Sequence, residues 1–200
     1  MTSHKHTLID CGSNLGQGFE LLRSKHNIDA SWKVYMFEPN PYCFSELQKR
    51  YKNQSNIIIE NKAICSHSDE VKFYITTSLD GIIDKHSDGS KVGDVLNLFT
   101  GIIHLYGYAD PINTGAVRLS DLINQIDCTD NLVVKLDIEG SEYSVLLDLI
   151  ETESIKKIDS LYVEFHNSFI DGDKRKEFDR QRDDILLYIK NTDIQFTEWH

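Results

Sequence analysis

Thr7-Leu8-Ile9-Asp10-Cys11-Gly12-Ser13-Asn14-Leu15-Gly16-Gln17-Gly18 is the stretch that decides the fold. A short apolar run ending in an acid gives way to Gly12, Gly16 and Gly18 among small polar residues, and then to Phe19-Glu20-Leu21-Leu22. That order predicts a strand, a glycine-rich turn and a helix. Glycine has no Cβ to clash with a ligand lying on the backbone, and the first N–H groups of a helix have no partner within it. The turn therefore predicts a site for a polar, nucleotide-like ligand at the helix start. A tight turn with a purely structural role is the plainer alternative.

The identity of the ligand depends on what the turn lacks and on how the second strand ends. A dinucleotide fingerprint needs a second glycine so that a pyrophosphate can rest on the backbone; here Asn14 stands in that place and Gln17 in the last. The second strand, Lys33 to Phe37, ends in Glu38-Pro39-Asn40-Pro41. Its acid lies about 20 residues past the turn, where doubly wound folds bind a ribose hydroxyl pair. Glu38 is thus a candidate ribose ligand, although acids at strand ends also serve as solvated or helix-capping residues. A glycine turn without pyrophosphate geometry and an acid for ribose together fit S-adenosylmethionine, whose sulfonium and amino-acid tail carry no phosphate. Asp10, ending the first strand, suits the ammonium group of that tail.

Three later stretches complete a pattern: Asn61-Lys62-Ala63-Ile64, then Val134-Lys135-Leu136-Asp137-Ile138-Glu139-Gly140-Ser141-Glu142, then Val163-Glu164-Phe165-His166. With the glycine turn and Phe37-Glu38-Pro39-Asn40-Pro41, they make the chain resemble the FkbM-type S-adenosylmethionine-dependent methyltransferases, in that family's order. The Asp-x-Gly-x-Asn-x-Gly turn is shared with other methyltransferases, whereas the Lys-x-Asp-x-Glu-Gly-x-Glu block is more particular to this family. The resemblance implies an α/β, Rossmann-like, doubly wound and mostly parallel sheet. It also implies methyl transfer to a hydroxyl on a sugar, a glycan or another small molecule. Cofactor contacts are expected from Asp10, Gly12, Ser13, Asn14, Gly16, Glu38, Pro39, Asn40 and Asp137. Ala63 and Ile64 are carried over from the resemblance as neighbours of the adenine; Ile64 fits an ordinary core position equally well. The family plan closes the sheet with two strands after the fifth, and only one fits before His200, so a shortened C-terminal edge is expected. An exposed edge strand invites pairing, which makes a homodimer through that edge an expectation too.

Length and composition predict one domain over residues 1–200. The net charge is −11, and the local basic run Lys174-Arg175-Lys176 is flanked by acids, which argues against a nucleic-acid partner. The four cysteines, Cys11, Cys43, Cys65 and Cys128, form no C-x-x-C pair and lie in or beside apolar segments. Reduced, buried thiols and a cytoplasmic setting are therefore expected. The N-terminus has no apolar signal core, and the longest apolar-leaning stretch, Val95 to Ala109, is interrupted by Asn97 and His104, so no membrane span is expected.

Apolar spacing predicts helices over 17–26, 43–51, 120–126, 141–152 and 177–190, with Ser120 as an N-cap. It predicts further strands near 57–59, 71–75, 117–119, 132–136, 159–164 and 194–199. Residues 76–116 are too long and irregular for a simple connection and suggest a lid or substrate-binding segment, with a plain surface insertion as the alternative.

Asp137 and Glu139 end the fourth strand, and Glu164 and His166 end the fifth, so these four should gather at the carboxyl edge of the sheet. An unactivated hydroxyl needs a base or a metal. His166 is the candidate base because its free pKa lies near neutrality, with Asp137 or Glu139 serving as base or orienting it. Glu142 falls in the first turn of a helix, where an acid simply complements the dipole. The same carboxylates and histidine suit a divalent ion such as Mg²⁺, although no metal ligands are assigned from the sequence. Two rivals stand beside this reading. One is a nicotinamide-dependent oxidoreductase, disfavoured by Asn14; the other is a scaffold that binds S-adenosylmethionine without turnover.

Overall fold

Strand β1 (His6–Cys11) is buried from Thr7 to Cys11 because it runs through the middle of a parallel sheet covered on both faces. The computed structural model describes residues 5–75, 110–126, 130–166 and 172–199. After the glycine turn come α1 (Gln17–His26), β2 (Trp32–Phe37), α2 (Pro41–Tyr51) and β3 (Ile57–Glu60). Helix α2 is capped at its start: the Asn40 side chain accepts from the Tyr42 N–H at 3.0 Å, and Pro41 occupies the first turn.

The chain then leaves this sheet for β4 (Ala63–Cys65), β5 (Glu70–Ile75) and β6 (Asp110–Arg118), and continues through the short helix α3 (Leu119–Gln125). It returns through β7 (Asn131–Leu136), α4 (Glu142–Glu151), a 3₁₀ turn at Ser154–Lys157, β8 (Ser160–Val163), α5 (Gly172–Lys190) and β9 (Gln195–Glu198). The main sheet has six strands in the order β3-β2-β1-β7-β8-β9, all parallel. One apolar layer packs Leu8, Val34 and Met36 against Phe19, Leu22, Leu47 and Tyr51 of α1 and α2. The opposite layer packs Ile9, Cys11 and Val134 against Ile123, Leu146, Leu149 and Ile185 of α3, α4 and α5. The architecture is the expected doubly wound α/β fold, and the chain order reverses between β1 and β7. At such a switch point the carboxyl ends of the strands leave a crevice.

Three expectations change. Residues 110–116 belong to β6, which pairs antiparallel with β5 from Gly115↔Glu70 to Asp110↔Ile75. The polar stretch Asn113-Thr114-Gly115 has no alternating apolar pattern, so only its partner strand reveals it as a strand; the rest of the expected lid, 76–109, lies outside the described residues. Ser120 is not an N-cap: the cap position is Arg118, two residues earlier, and the Ser120 hydroxyl donates to Asp148 Oδ2 at 2.6 Å. Helix α5 starts at Gly172, before the first apolar position at Phe178 that the spacing could register. Cys11, Cys43 and Cys65 are free, buried thiols as expected, while Cys128 lies outside the described residues. Among the described residues no helix is long and apolar enough to cross a membrane.

Candidate active site

The turn after β1 is tied to both neighbouring strands by its backbone. Gly12 N and Ser13 N both donate to the Phe37 carbonyl, at 3.0 and 3.1 Å, and Asp137 N donates to the Cys11 carbonyl at 3.2 Å. Gly12 has φ +75°, and a Cβ there would stand 1.8 Å from the Asp137 carbonyl oxygen, so the close approach of the two strand ends requires glycine. Asn14 adopts the left-handed region at φ 49°, a conformation asparagine tolerates. Its N–H points at Glu38 Oε2, 2.7 Å away. The Asn40 N–H holds the other oxygen, Oε1, at 2.8 Å. The buried Glu38 carboxylate is thereby aimed by two backbone donors, each oxygen keeping a lone pair for a hydroxyl. Burial is the dominant influence on its pKa and carries it to about 7, against the pull of those two N–H groups.

A cleft of about 400 Å³ opens over these strand ends. Gly12 and Asn14 line it from β1, Glu38 and Pro39 from β2, Asp137, Ile138 and Glu139 from β7, and Phe73 from β5. A roomier hollow of about 570 Å³, beside Arg23, Asp29 and Asn56, lies at the opposite, amino ends of the strands. Of the strand-end acids, Glu38, Asp137 and Glu139 line the first of these, and none lines the second.

Of the residues expected to contact a cofactor, Gly12, Asn14, Glu38, Pro39 and Asp137 line the cleft. Six do not. Asp10 is 0 % exposed, and its carboxylate lies 3.3 Å from the Lys135 ammonium instead of facing the cleft. Ser13 is buried and donates its hydroxyl to the Asp10 carbonyl, which closes the turn. Gly16, at φ 91°, starts α1 against the Tyr51 hydroxyl. Asn40 is buried as the cap of α2 and as a donor to Glu38. Ala63 and Ile64 are buried in β4, Ile64 within the main core, and neither lines the cleft. Phe73 adds an aromatic side chain to the lining; no spacing rule pointed to it.

The second half of the site is charged. His166 is 3 % exposed, and its Nδ1 lies 2.9 Å from Glu142 Oε1. An ionised carboxylate can only accept, so Nδ1 carries a proton and Nε2 is turned to the other acids. Glu139 Oε2 is 3.4 Å from Nε2, Glu164 Oε1 is 3.8 Å and Asp137 Oδ1 is 3.9 Å. The Glu142 carboxylate does more than complement a helix dipole. It also accepts from Ile138 N at 2.8 Å and Gly140 N at 2.9 Å, clamping a turn in which Glu139 takes the left-handed φ of 54° and Gly140 takes 100°.

The expected near-neutral histidine is not what this environment produces. Burial opposes its charge most strongly, yet the Glu142 hydrogen bond and charge, with Glu139 and Asp137 behind them, more than offset it and raise the pKa to about 9. Burial raises the Glu139 carboxyl to about 8, with Asp137, Glu142 and Glu164 adding to the shift and His166 opposing it. Burial likewise raises Glu164. This is a cleft wall with an excess of acid that favours an incoming cation. Asp137, Glu139 and His166 also offer one ligand atom each, all within 4.8 Å of one another, a spacing compatible with a divalent ion. One central residue was not among the expected site residues: Lys135, 2 % exposed, whose ammonium lies 3.1 Å from Asp137 Oδ2. A lysine inside the run Leu132-Val133-Val134-Lys135-Leu136 is itself the missed signal, because a charge facing into a covered sheet must have a partner.

The sequence model described as methyltransferase FkbM domain matches residues 10–195. A crystal structure of methyltransferase FkbM from Methylobacillus flagellatus KT is similar in fold, with a TM-score of 0.50 and 18 % identity; the match covers 96 % of this chain and 38 % of that one. The chain thus spans well under half the length of that protein. Among curated proteins none matches the chain.

Proposed function

From the premise that this chain belongs to the FkbM methyltransferase domain family, we propose that it transfers a methyl group from S-adenosylmethionine to a hydroxyl of a sugar, glycan or other small molecule. Family and fold together support methyltransferase activity. The observation that carries the finer assignment is the pairing of two features at one cleft: the aimed Glu38 carboxylate beside a glycine turn, and Asp137 and Glu139, which line the same cleft and face the Nε2 of the buried His166 behind them.

The residues suit the cofactor. Glu38 accepts from the ribose hydroxyls, and the Gly12 and Asn14 backbone gives the flat approach that an adenosyl group without pyrophosphate needs. When bound, S-adenosylmethionine supplies an electrophilic methyl on a positively charged sulfur. Asp137, Glu139 and Glu164 favour that charge, and the same charge lowers the proton affinity of His166. His166 then takes the acceptor's hydroxyl proton on Nε2 while Glu142 keeps Nδ1–H oriented. Asp137, Glu139 and Glu164 would stabilise positive charge on the imidazole once it holds that proton, as they would a cation in the cleft.

The test is methyl transfer from labelled S-adenosylmethionine to a panel of hydroxylated sugars, glycans and small metabolites. His166→Gln should lower turnover by roughly 10²–10⁴-fold with cofactor affinity intact. Full turnover in that variant, unaffected by chelator, would overturn the base role. Wild-type turnover that chelator abolishes and Mg²⁺ restores would instead assign the Asp137, Glu139 and His166 grouping to a metal. Cofactor binding with no transfer to any acceptor would favour a scaffold.

A further inference from the structure

We propose that Lys135 is a positioning residue, joining the cofactor turn to the acid cluster by holding the Gly12 carbonyl and the Asp137 carboxylate on one buried ammonium. The inference rests on the proposed use of S-adenosylmethionine and assigns a role that none of the residues facing the cleft supplies.

Asp10 and Lys135 are register partners in the adjacent strands β1 and β7, so their side chains emerge side by side on one face. Asp137, two residues on from Lys135, continues on that face. The Lys135 ammonium accordingly reaches Asp10 Oδ1 at 3.3 Å, Asp137 Oδ2 at 3.1 Å and, as donor, the Gly12 carbonyl at 3.1 Å. The two oxygens of Asp137 are divided: Oδ2 toward Lys135 and Oδ1 toward His166 Nε2 at 3.9 Å. One rotamer of Asp137 thus serves both halves of the cleft, and Lys135 selects it. Helix α1 makes room for the arrangement at Gly18, where a Cβ would stand 2.6 Å from Lys135 Cε.

Asp10 takes its meaning from the same cluster. An ammonium beneath a cleft meant for a sulfonium would repel it; the buried Asp10 carboxylate cancels that charge locally and leaves the negative charge of Asp137 to act on the cleft. Asp10 is therefore the counter-ion of Lys135, one step removed from the ligand.

The experiment separates positioning from mere stability by measuring melting temperature and S-adenosylmethionine affinity on the same samples. Lys135→Met leaves Asp10 buried without a partner and should lower both. The double variant Lys135→Met with Asp10→Leu removes the charge pair together and should recover most of the melting temperature. Its affinity should stay at least ten-fold weaker than wild type, because Gly12 and Asp137 are no longer tied together. Gly18→Ala provides a second route that keeps every charge and improves helix propensity, while its methyl displaces the lysine. It should weaken binding three- to ten-fold with the melting temperature held, and it decides the matter if the double variant fails to fold. Wild-type affinity in the double variant or in Gly18→Ala would overturn the positioning role. A wild-type chain that does not bind S-adenosylmethionine would overturn the functional assignment itself, and the role with it.

Discussion

The turn after β1 and the turn after β7 face each other across one cleft, yet they are built from opposite materials. The first is backbone: glycines and Asn14 in left-handed conformations, the Asn14 N–H that holds Glu38, and no charged side chain of its own. The second, together with the segment that follows β8, is charge: Asp137 and Glu139 from the turn, Glu164 and His166 from that segment, with Glu142 clamping residues 139 and 140 from behind. The contrast separates two tasks. A rigid, neutral surface recognises shape and hydroxyls, whereas an acid-rich one accommodates a cation and moves a proton. Lys135 lies at their junction.

The largest effect should come from breaking the backbone turn. Gly12→Ala must leave φ +75° or drive its methyl into the Asp137 carbonyl, separating the two strand ends. Urea unfolding should show a loss on the order of 3–5 kcal/mol, with cofactor binding abolished. Next is the clamp of the charged turn. Glu142→Gln keeps the shape but lacks the second acceptor that Ile138 N, Gly140 N and His166 share. A loss of about 1–3 kcal/mol is expected. Because Glu142 is the leading group that raises the His166 pKa, the imidazole midpoint read by NMR should fall from about 9 toward the ordinary value.

The smallest change per pH unit belongs to the ligand-free protein. Glu38, Glu139, Glu164 and His166 all titrate higher in the folded chain than they would free in water. Through these four groups the folded state holds more protons, and unfolding releases them, so their share of the stability falls as pH rises, opposed by His26, whose pKa burial lowers. The carboxyl part is complete below the usual value of 4.5 and is lost as pH passes about 7 to about 8. The histidine part is complete below 6.5 and is lost through about 9. Denaturant melts across that range should show the decline, and S-adenosylmethionine should flatten it. Flat stability from pH 4.5 to 9 would contradict the charged half of the comparison.

The two halves were unequally legible in the sequence. The backbone half could be read directly, since glycine spacing and Glu38 are local signals that keep their meaning wherever the strands end up. The charged half was legible as a gathering of acids and a histidine at one edge, because strand order in a doubly wound sheet brings them there. Its wiring was not. The Asp10 and Lys135 pairing depends on the register of two strands far apart in sequence, and strand periodicity says nothing about register. The protonation of His166 depends on Glu142 turning back beneath it, which helix position alone does not reveal. Ala63 and Ile64 were placed by resemblance, and their apolar character fitted the core they occupy as well as any adenine wall.

Titration calorimetry of the full 200-residue chain with S-adenosylmethionine, S-adenosylhomocysteine and NAD, repeated on Glu38→Ala, tests the central claim most directly. The first two should bind and NAD should not, and Glu38→Ala should weaken binding by about 1.5–3 kcal/mol through lost charge-assisted hydrogen bonds. NAD binding as tightly as S-adenosylmethionine, or affinity unchanged in Glu38→Ala, would contradict the claim.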